Sequence, residues 1–290
     1  MDDNGHGTHV SGIAAGKGDY NNNGIYEPEL GEVWGVAPDA QILAYKVLNW
    51  QGGGLTSDIV SAIENAIAEG ADIISMSLGG SGNPDDAMSV AIDNAVDAGV
   101  VAVVAAGNEP YCPIGSPGSA RKAITVGATN KQDGIADFSC RGPVKWTDVN
   151  GNEQILIKPD VVAPGVNICS AEYASAWSDR RCIDGKHVAI SGTSMATPVV
   201  SGSVALLKQK HSDWTPEDFK NVLKGTAKDL SKKVIEQGSG RIQVTEAVNI
   251  EGKPLKVELL TKGIIKGVVG IKANVVDNGN FKDIELYFRE

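Results

Sequence analysis

The sequence predicts an α/β fold with a mainly parallel central sheet, followed by the start of a β-rich segment. Three observations predict it. Over the first 250 residues apolar runs alternate with helix-patterned segments, as strand–helix crossovers require. Several of those runs are nearly continuous in Val, Ile and Ala, as in strands buried on both faces. After about Asn249 the helical period gives way to apolar–polar alternation with turn signals.

Taken in order, residues 9–15 read as a short helix behind the glycine-flanked His6. Residues 41–48, 72–78, 100–106, 123–128 and 161–163 are the candidate strands. Ser57 is placed to cap a helix that carries Ile59, Ile63, Ala66 and Ile67 on one face and stops before Gly70. Pro84 opens a second helix that closes at Gly99. Residues 195–207 form a third, apolar helix, with Pro198 tolerated in its first turn. Thr215-Pro216-Glu217-Asp218 combines a cap, a first-turn Pro and acids at the positive end of the helix dipole. Beyond, 267–276 and 282–289 alternate as strands around Asp277-Asn278-Gly279-Asn280, a turn signal. The chain thus divides into a unit over 1–250 and a partial β-rich segment over 251–290.

Bulk properties narrow the function. A net charge of −10 argues against nucleic acid and anionic membrane surfaces as partners. No apolar run reaches the length of a membrane span, and the first residues lack the basic stretch and apolar core of a signal peptide. Four cysteines are too few for a disulfide framework. Cys169 and Cys182 flank a short polar segment and can close a loop, or remain free thiols.

Three elements carry chemistry. Ser194, after Gly192 and at the start of an apolar helix, sits where free N–H groups favour a developing anion; alone, it reads equally as a capping serine. His6 lies between Gly5 and Gly7, which leaves the ring approachable, although a lone His is usually structural. His6 and His9 also have the spacing of a metal pair, but no third ligand stands nearby. Asn108 follows Gly107 at the end of a buried strand. Its amide can donate to an oxyanion together with the Ser194 N–H, or it is an ordinary turn residue.

Together with their flanking segments these residues are specific. The chain resembles the subtilisin-like serine peptidases, the subtilases. The matching segments are Gly5-His6-Gly7-Thr8-His9-Val10-Ser11-Gly12, Ser75-Met76-Ser77-Leu78-Gly79-Gly80, Ala105-Ala106-Gly107-Asn108-Glu109, Ile124-Thr125-Val126-Gly127-Ala128, Phe138-Ser139-Cys140-Arg141-Gly142-Pro143, Lys158-Pro159-Asp160-Val161-Val162-Ala163-Pro164-Gly165 and Ser191-Gly192-Thr193-Ser194-Met195-Ala196-Thr197-Pro198. The α/β-hydrolases are excluded, because there the serine precedes the histidine. The resemblance implies a three-layer subtilisin-like fold, His6 as general base, Ser194 as nucleophile and Asn108 as oxyanion donor. It implies walls of the pocket for the residue before the scissile bond at Ser77, Leu78, Gly79 and Gly80 and at Ala105, Ala106 and Gly107, with Gly115 near the floor. Polypeptide substrates, a pro-segment as a further partner and an extracellular or cell-surface location follow from the same likeness.

One departure stands out. In that family the triad Asp precedes the His on an earlier strand, whereas only Met1 to Gly5 precede His6 here. Asp2 and Asp3 are too close in sequence to reach the far ring nitrogen and belong to the loop leading into the helix. The expectation is an N-terminally truncated peptidase with weak or no activity; the competing classes are a non-catalytic peptide-binding relative and an esterase, which would need an apolar lid.

Residues 19–27 offer Asp19, Asn21, Asn23 and Glu27, with Gly24 at the sixth position, matching the first half of an EF-hand loop. Leu30 stands where the bidentate Glu belongs, so Glu27 and Glu29 must substitute, or the loop is a solvated turn. The resemblance favours a structural calcium ion. Trp34, Trp146, Trp177 and Trp214 are assigned to packing, and Met195 makes any activity oxidation-sensitive.

Overall fold

The computed structural model describes residues 2–18, 33–109 and 112–254, and the backbone of 256–259 and 273–276. In chain order the elements are α1 (His6–Ala15), α2 (Thr56–Ala68), β1 (Ile73–Met76), α3 (Ala87–Asp97), β2 (Val101–Ala105), β3 (Ile124–Thr129), β4 (Val144–Thr147), β5 (Glu153–Leu156), β6 (Val161–Pro164), β7 (Ile168–Ala171), β8 (His187–Ile190), α4 (Thr193–Lys210), α5 (Pro216–Gly225), α6 (Val234–Gln237), α7 (Val244–Val248), β9 (Lys256–Leu259) and β10 (Ala273–Val276).

A parallel sheet in the order β1-β2-β3-β6 forms the middle layer. Strand alternation divides its side chains between two cores. Val101, Val103, Val126 and Ala163 face α4 and α5, where Ala196, Val200, Val204, Leu207 and Phe219 are all 0% exposed. Ile74, Met76, Ala102 and Val104 face α2 and α3, meeting Ile59, Ile63 and Ile92. Strands covered on both faces account for the continuous apolar runs. β7 and β8 form an antiparallel hairpin against α1, and β4 and β5 form another.

Boundaries shift for local reasons. α1 starts at His6 rather than at residue 9, because the Asp2 carboxylate caps it, accepting from Gly5 N at 2.9 Å and Thr8 N at 2.8 Å. α2 begins at Thr56, with Ser57 inside it and no side-chain cap. Asp86, not Pro84, sets the start of α3 by accepting from Ser89 N. Gly70 and Gly99 end their helices with φ of 77° and 94°, a conformation glycine adopts without strain. Thr215 and Asp218 form a reciprocal capping box on α5.

The strand expected at 41–48 does not form: these residues belong to no ladder, and Ile42 and Leu43 are 49% and 50% exposed. An extended run becomes a strand only beside a partner edge. Here the sheet ends at β1, and a cavity of about 2800 Å³ is lined by residues 41–48 on one side and by Ile73–Met76 on the other.

Two disulfides are closed. Cys169–Cys182 ties the start of β7 to the segment before β8, and Cys112–Cys140, unforeseen, joins segments 28 residues apart. In the tail, β9 pairs antiparallel with β10, so the first expected strand finds its partner upstream; residues 282–289 lie outside the described residues. No helix among the described residues is long and apolar enough to cross a membrane. Trp177 packs with Ile13, Ile190 and Met195, and Trp214 stacks on His211 at 3.9 Å.

Candidate active site

His6, Asn108 and Ser194, distant in sequence, line one cavity together with Ser77, Leu78, Gly79, Gly80, Ala105, Ala106, Gly107 and Gly115. Each catalytic candidate is held by a different element. His6 opens α1. Its neighbour Gly5, at φ 99°, packs so tightly on the β7–β8 connection that a methyl there would stand 2.8 Å from Ala176 Cβ. His9, one turn on, is fully buried, its Nε2 on Val188 O at 3.0 Å, while Ser170 Oγ donates to His9 O at 2.9 Å. Both contacts bind α1 to the hairpin, so His9 is a structural histidine and the metal-pair reading of His6 and His9 falls.

Ser194 is the second residue of α4 and 8% exposed. Its N–H belongs to the first turn, where no preceding helical carbonyl exists to receive it. Pro198 lies deeper than the first turn. Lacking an N–H, it leaves the carbonyl four residues back, that of Ser194, without its helical donor. The Ser77 hydroxyl takes that place at 2.7 Å, and Ser194 Oγ leans toward Ser77 O at 3.4 Å. Ser77 thereby holds the backbone of Ser194, a role beyond the one sequence suggested. The signal that could have found it is Pro198 four positions after the serine. Ser77→Ala strands a buried acceptor, at a cost of about 1–3 kcal/mol. The expected result is labelling of Ser194 by a serine-directed fluorophosphonate slowed about tenfold, with the far-ultraviolet circular dichroism unchanged.

Asn108 follows β2, and its side chain is oriented by Thr193. Asn108 Oδ1 accepts from Thr193 N at 2.7 Å and Thr193 Oγ1 at 2.9 Å, while Thr193 Oγ1 accepts from Gly107 N at 3.1 Å. With two donors on the oxygen, the amide nitrogen must point the other way. It lies on the Gly192 side: a methyl placed on Gly192 would lie 3.4 Å from Asn108 Nδ2 and 3.5 Å from Ser194 N. Two N–H donors therefore converge beside Gly192, as an oxyanion would need. Thr193 as the residue that aims Asn108 was not read from the sequence.

Gly80 is joined to the segment that carries Gly115. Gly80 N donates to Ser116 O at 2.9 Å, and a methyl on Gly115 would stand 2.1 Å from Gly80 O. Gly107, at φ 110°, leaves room for the Cys112–Cys140 bridge, since a methyl there would meet Cys140 Sγ at 2.6 Å.

Burial pushes the His6 imidazole below its ordinary pKa, with the Asp2 charge opposing. The lowered pKa favours the neutral ring, which has a lone pair free to accept a proton. Among the described residues no hydrogen bond reaches its ring, neither from Ser194 Oγ nor from a carboxylate. The two acids nearest in sequence are engaged elsewhere. Asp2 spends both oxygens on the start of α1; burial works against its charge, but the Thr8 hydroxyl at 2.6 Å and backbone N–H donors hold its carboxyl well below the usual range. Asp3 pairs with Lys46 at 3.0 Å. Asp19, Asn21, Asn23 and Glu27 lie outside the described residues.

The family model described as "Subtilase family" (peptidase S8) matches residues 1–242. Serine protease AprX of Bacillus subtilis (strain 168) is 37% identical over 273 residues, an alignment covering 85% of this chain and 58% of that protein. Subtilisin Savinase of Lederbergia lenta is 36% identical over 247 residues, covering 85% of this chain and 78% of that protein. A structure described as a cold adapted subtilisin-like serine proteinase superimposes with a TM-score of 0.61 at 30% identity, over 83% of this chain and 74% of that one. The chain thus spans 58% of the length of AprX and 56% of the alkaline protease of Alkalihalobacillus alcalophilus.

Proposed function

The chain belongs to the subtilase family, and from that premise we propose that it acts as a serine endopeptidase through an acyl-enzyme on Ser194. The observation that carries the proposal is that Asn108 Nδ2 and Ser194 N lie together beside Gly192, two residues before Ser194, with His6 in the same cavity. In this reading the neutral His6 ring takes the Ser194 hydroxyl proton as Oγ attacks the scissile carbonyl. The oxyanion is stabilised by Asn108 Nδ2 and Ser194 N. His6 then gives the proton to the leaving amine, and water repeats the sequence to release the acid. An extended polypeptide lies between Ser77–Gly80 and Ala105–Gly107, its side chain before the scissile bond in the pocket they enclose.

The chain as it stands is proposed to turn over slowly. His6 has no carboxylate to fix its tautomer or stabilise its imidazolium among the described residues, because Asp2 and Asp3 are bound to other groups. The same observation supports the second reading, a peptide-binding relative that keeps the cleft without catalysis. The division into a catalytic unit over 1–250 and a β-rich segment over 251–290, a structural calcium ion at Asp19, Asn21, Asn23 and Glu27, and an extracellular or cell-surface location are part of the proposal. The first two rest on sequence pattern and the third on the family.

A fluorophosphonate on the 290-residue chain separates the readings. The peptidase predicts labelling at Ser194, absent in Ser194→Ala. Its rate should fall on acidification with an apparent pKa below the ordinary histidine value, a limb abolished by His6→Ala. Intact binding of an extended apolar peptide without any labelling would overturn it in favour of the binding relative.

A further inference from the structure

Behind the Gly115–Ser116 floor of the pocket stands a carboxylate that the mechanism does not use. Asp86 precedes α3 and caps it, Oδ1 accepting from Ser89 N at 3.0 Å, while Oδ2 accepts from Asn83 N at 3.0 Å. The same Oδ1 also accepts from Ser116 Oγ at 2.6 Å. Ser116, Ser89 and Ser119 are each 0% exposed, and Ser89 Oγ lies 3.0 Å from Ser116 Oγ and 3.3 Å from Ser119 Oγ. Each hydroxyl has one proton. Ser116 spends its proton on Asp86, so Ser89 donates to Ser116 and Ser119 donates to Ser89. Three buried hydroxyls thus aim their protons in series at one carboxylate, an arrangement in which each bond strengthens the next.

Ser116 is also the point where the floor joins the Leu78–Gly80 wall, through Gly80 N and the contact of Gly115 with Gly80 O. Gly80, Gly115 and Ser116 line the cavity, whereas Asp86 and Ser89 lie outside its lining. We propose that Asp86 is a positioning residue that sets the size of the specificity pocket: it anchors Ser116, and Ser116 fixes how far the Gly115–Ser116 floor stands from the Leu78–Gly80 wall. The inference rests on the peptidase reading and deepens it, since the pocket size decides which side chain precedes the cleaved bond.

The test uses the full chain with peptidyl diphenyl phosphonates bearing Ala, Leu or Phe before the phosphorus, beside a small non-peptidic fluorophosphonate. Asp86→Ser keeps a helix-capping side chain but is too short to hold Ser116. Ser116→Ala removes the hydroxyl without touching the cap. The expected result is a Phe-to-Ala labelling ratio moved about tenfold toward unity in both variants, the scale of a pocket altered by one methylene. In Asp86→Ser the fluorophosphonate rate stays at the wild-type value. An unchanged ratio in both variants, or one common factor across all four probes, overturns the inference and leaves the peptidase reading standing. Failure of every probe to label the wild-type chain overturns both.

Discussion

Asn108→Leu lowers the rate of fluorophosphonate labelling of Ser194 by about 10²–10³-fold, the loss known for removal of one oxyanion donor in subtilisin itself. The substitution keeps side-chain bulk and takes away Nδ2, one of the two donors that meet beside Gly192. It also takes away Oδ1, which receives Thr193 N and Oγ1. Thr193→Val separates these effects. It retains Asn108 Nδ2 and the Thr193 N contact but deletes one of the two donors that aim the amide, so its loss should be a fraction of that in Asn108→Leu. Equal losses would mean that Asn108 acts on the backbone of α4 and not on the oxyanion. An unaltered rate in Asn108→Leu would remove Asn108 from the site.

The largest effect on stability falls on Asp160→Ala. Asp160 and Lys158 are 6% and 1% exposed. The Asp160 carboxylate receives Lys158 Nζ at 2.7 Å, Lys220 Nζ at 3.0 Å and Thr125 N at 2.8 Å. Both ammonium groups also donate to Ala123 O at 2.8 Å. The cluster fastens the entry to β6 against β3 and ties both to α5. Removing the one carboxylate strips Lys158 Nζ and Thr125 N of their acceptor and Lys220 of its counter-charge, a loss of about 3–5 kcal/mol. That corresponds to a fall in Tm of about 6–20 °C for a chain of this size, measured by thermal unfolding at pH 7. A fall of under a degree would show that water replaces the carboxylate at no cost.

The same cluster predicts the sign of the pH dependence. Burial opposes the charge of Asp160, but Lys158, Lys220 and Lys224 outweigh it and hold the carboxyl below its ordinary range. A carboxylate with a depressed folded pKa stabilises fully above the unfolded value near ~3.9, and the contribution is lost as pH falls toward the folded value. The acid limb of Tm against pH should therefore flatten in Asp160→Asn. Lys158 acts in another window. Burial pushes it down to about 7, against the attraction of Asp160. From there up to the unfolded value near ~10.4 the unfolded chain binds more protons, so this group adds stability as pH rises.

Strands covered on both faces were legible because burial writes itself as uninterrupted Val, Ile and Ala, as in β2 and β3. Residues 41–48 carry the same apolar character and were misread for a physical reason: composition reports a tendency to extend, while a strand also needs a hydrogen-bonding edge beside it. The β4–β5 hairpin passed unnoticed, although Asp148 accepts from Asn150 N and Asn152 N, both at 2.9 Å, in a turn with Gly151 at φ 81°. The alternation around Asn150-Gly151-Asn152 was a usable signal. Cys169–Cys182 closes a short loop and was open to inspection; Cys112–Cys140 spans 28 residues, and nothing local announces it. At the site, the residues proposed to meet substrate stand in motifs that the sequence displays. Those proposed to aim them, Thr193 for Asn108, Ser77 for Ser194 and Asp86 for the pocket floor, act through contacts made only after folding.

Ser194 sits on the end of α4, a rod whose next four turns run through the centre of the molecule with Ala196, Val200, Val204 and Leu207 sealed from water. A rod gripped along its length transmits any displacement to its tip, so a change of one methylene at Val200 or Val204 is a change in where the serine oxygen points. Adaptation to new substrates is thereby pushed outward, into the loops that border the cleft, because the axis of the reaction is cast in the same piece as the interior.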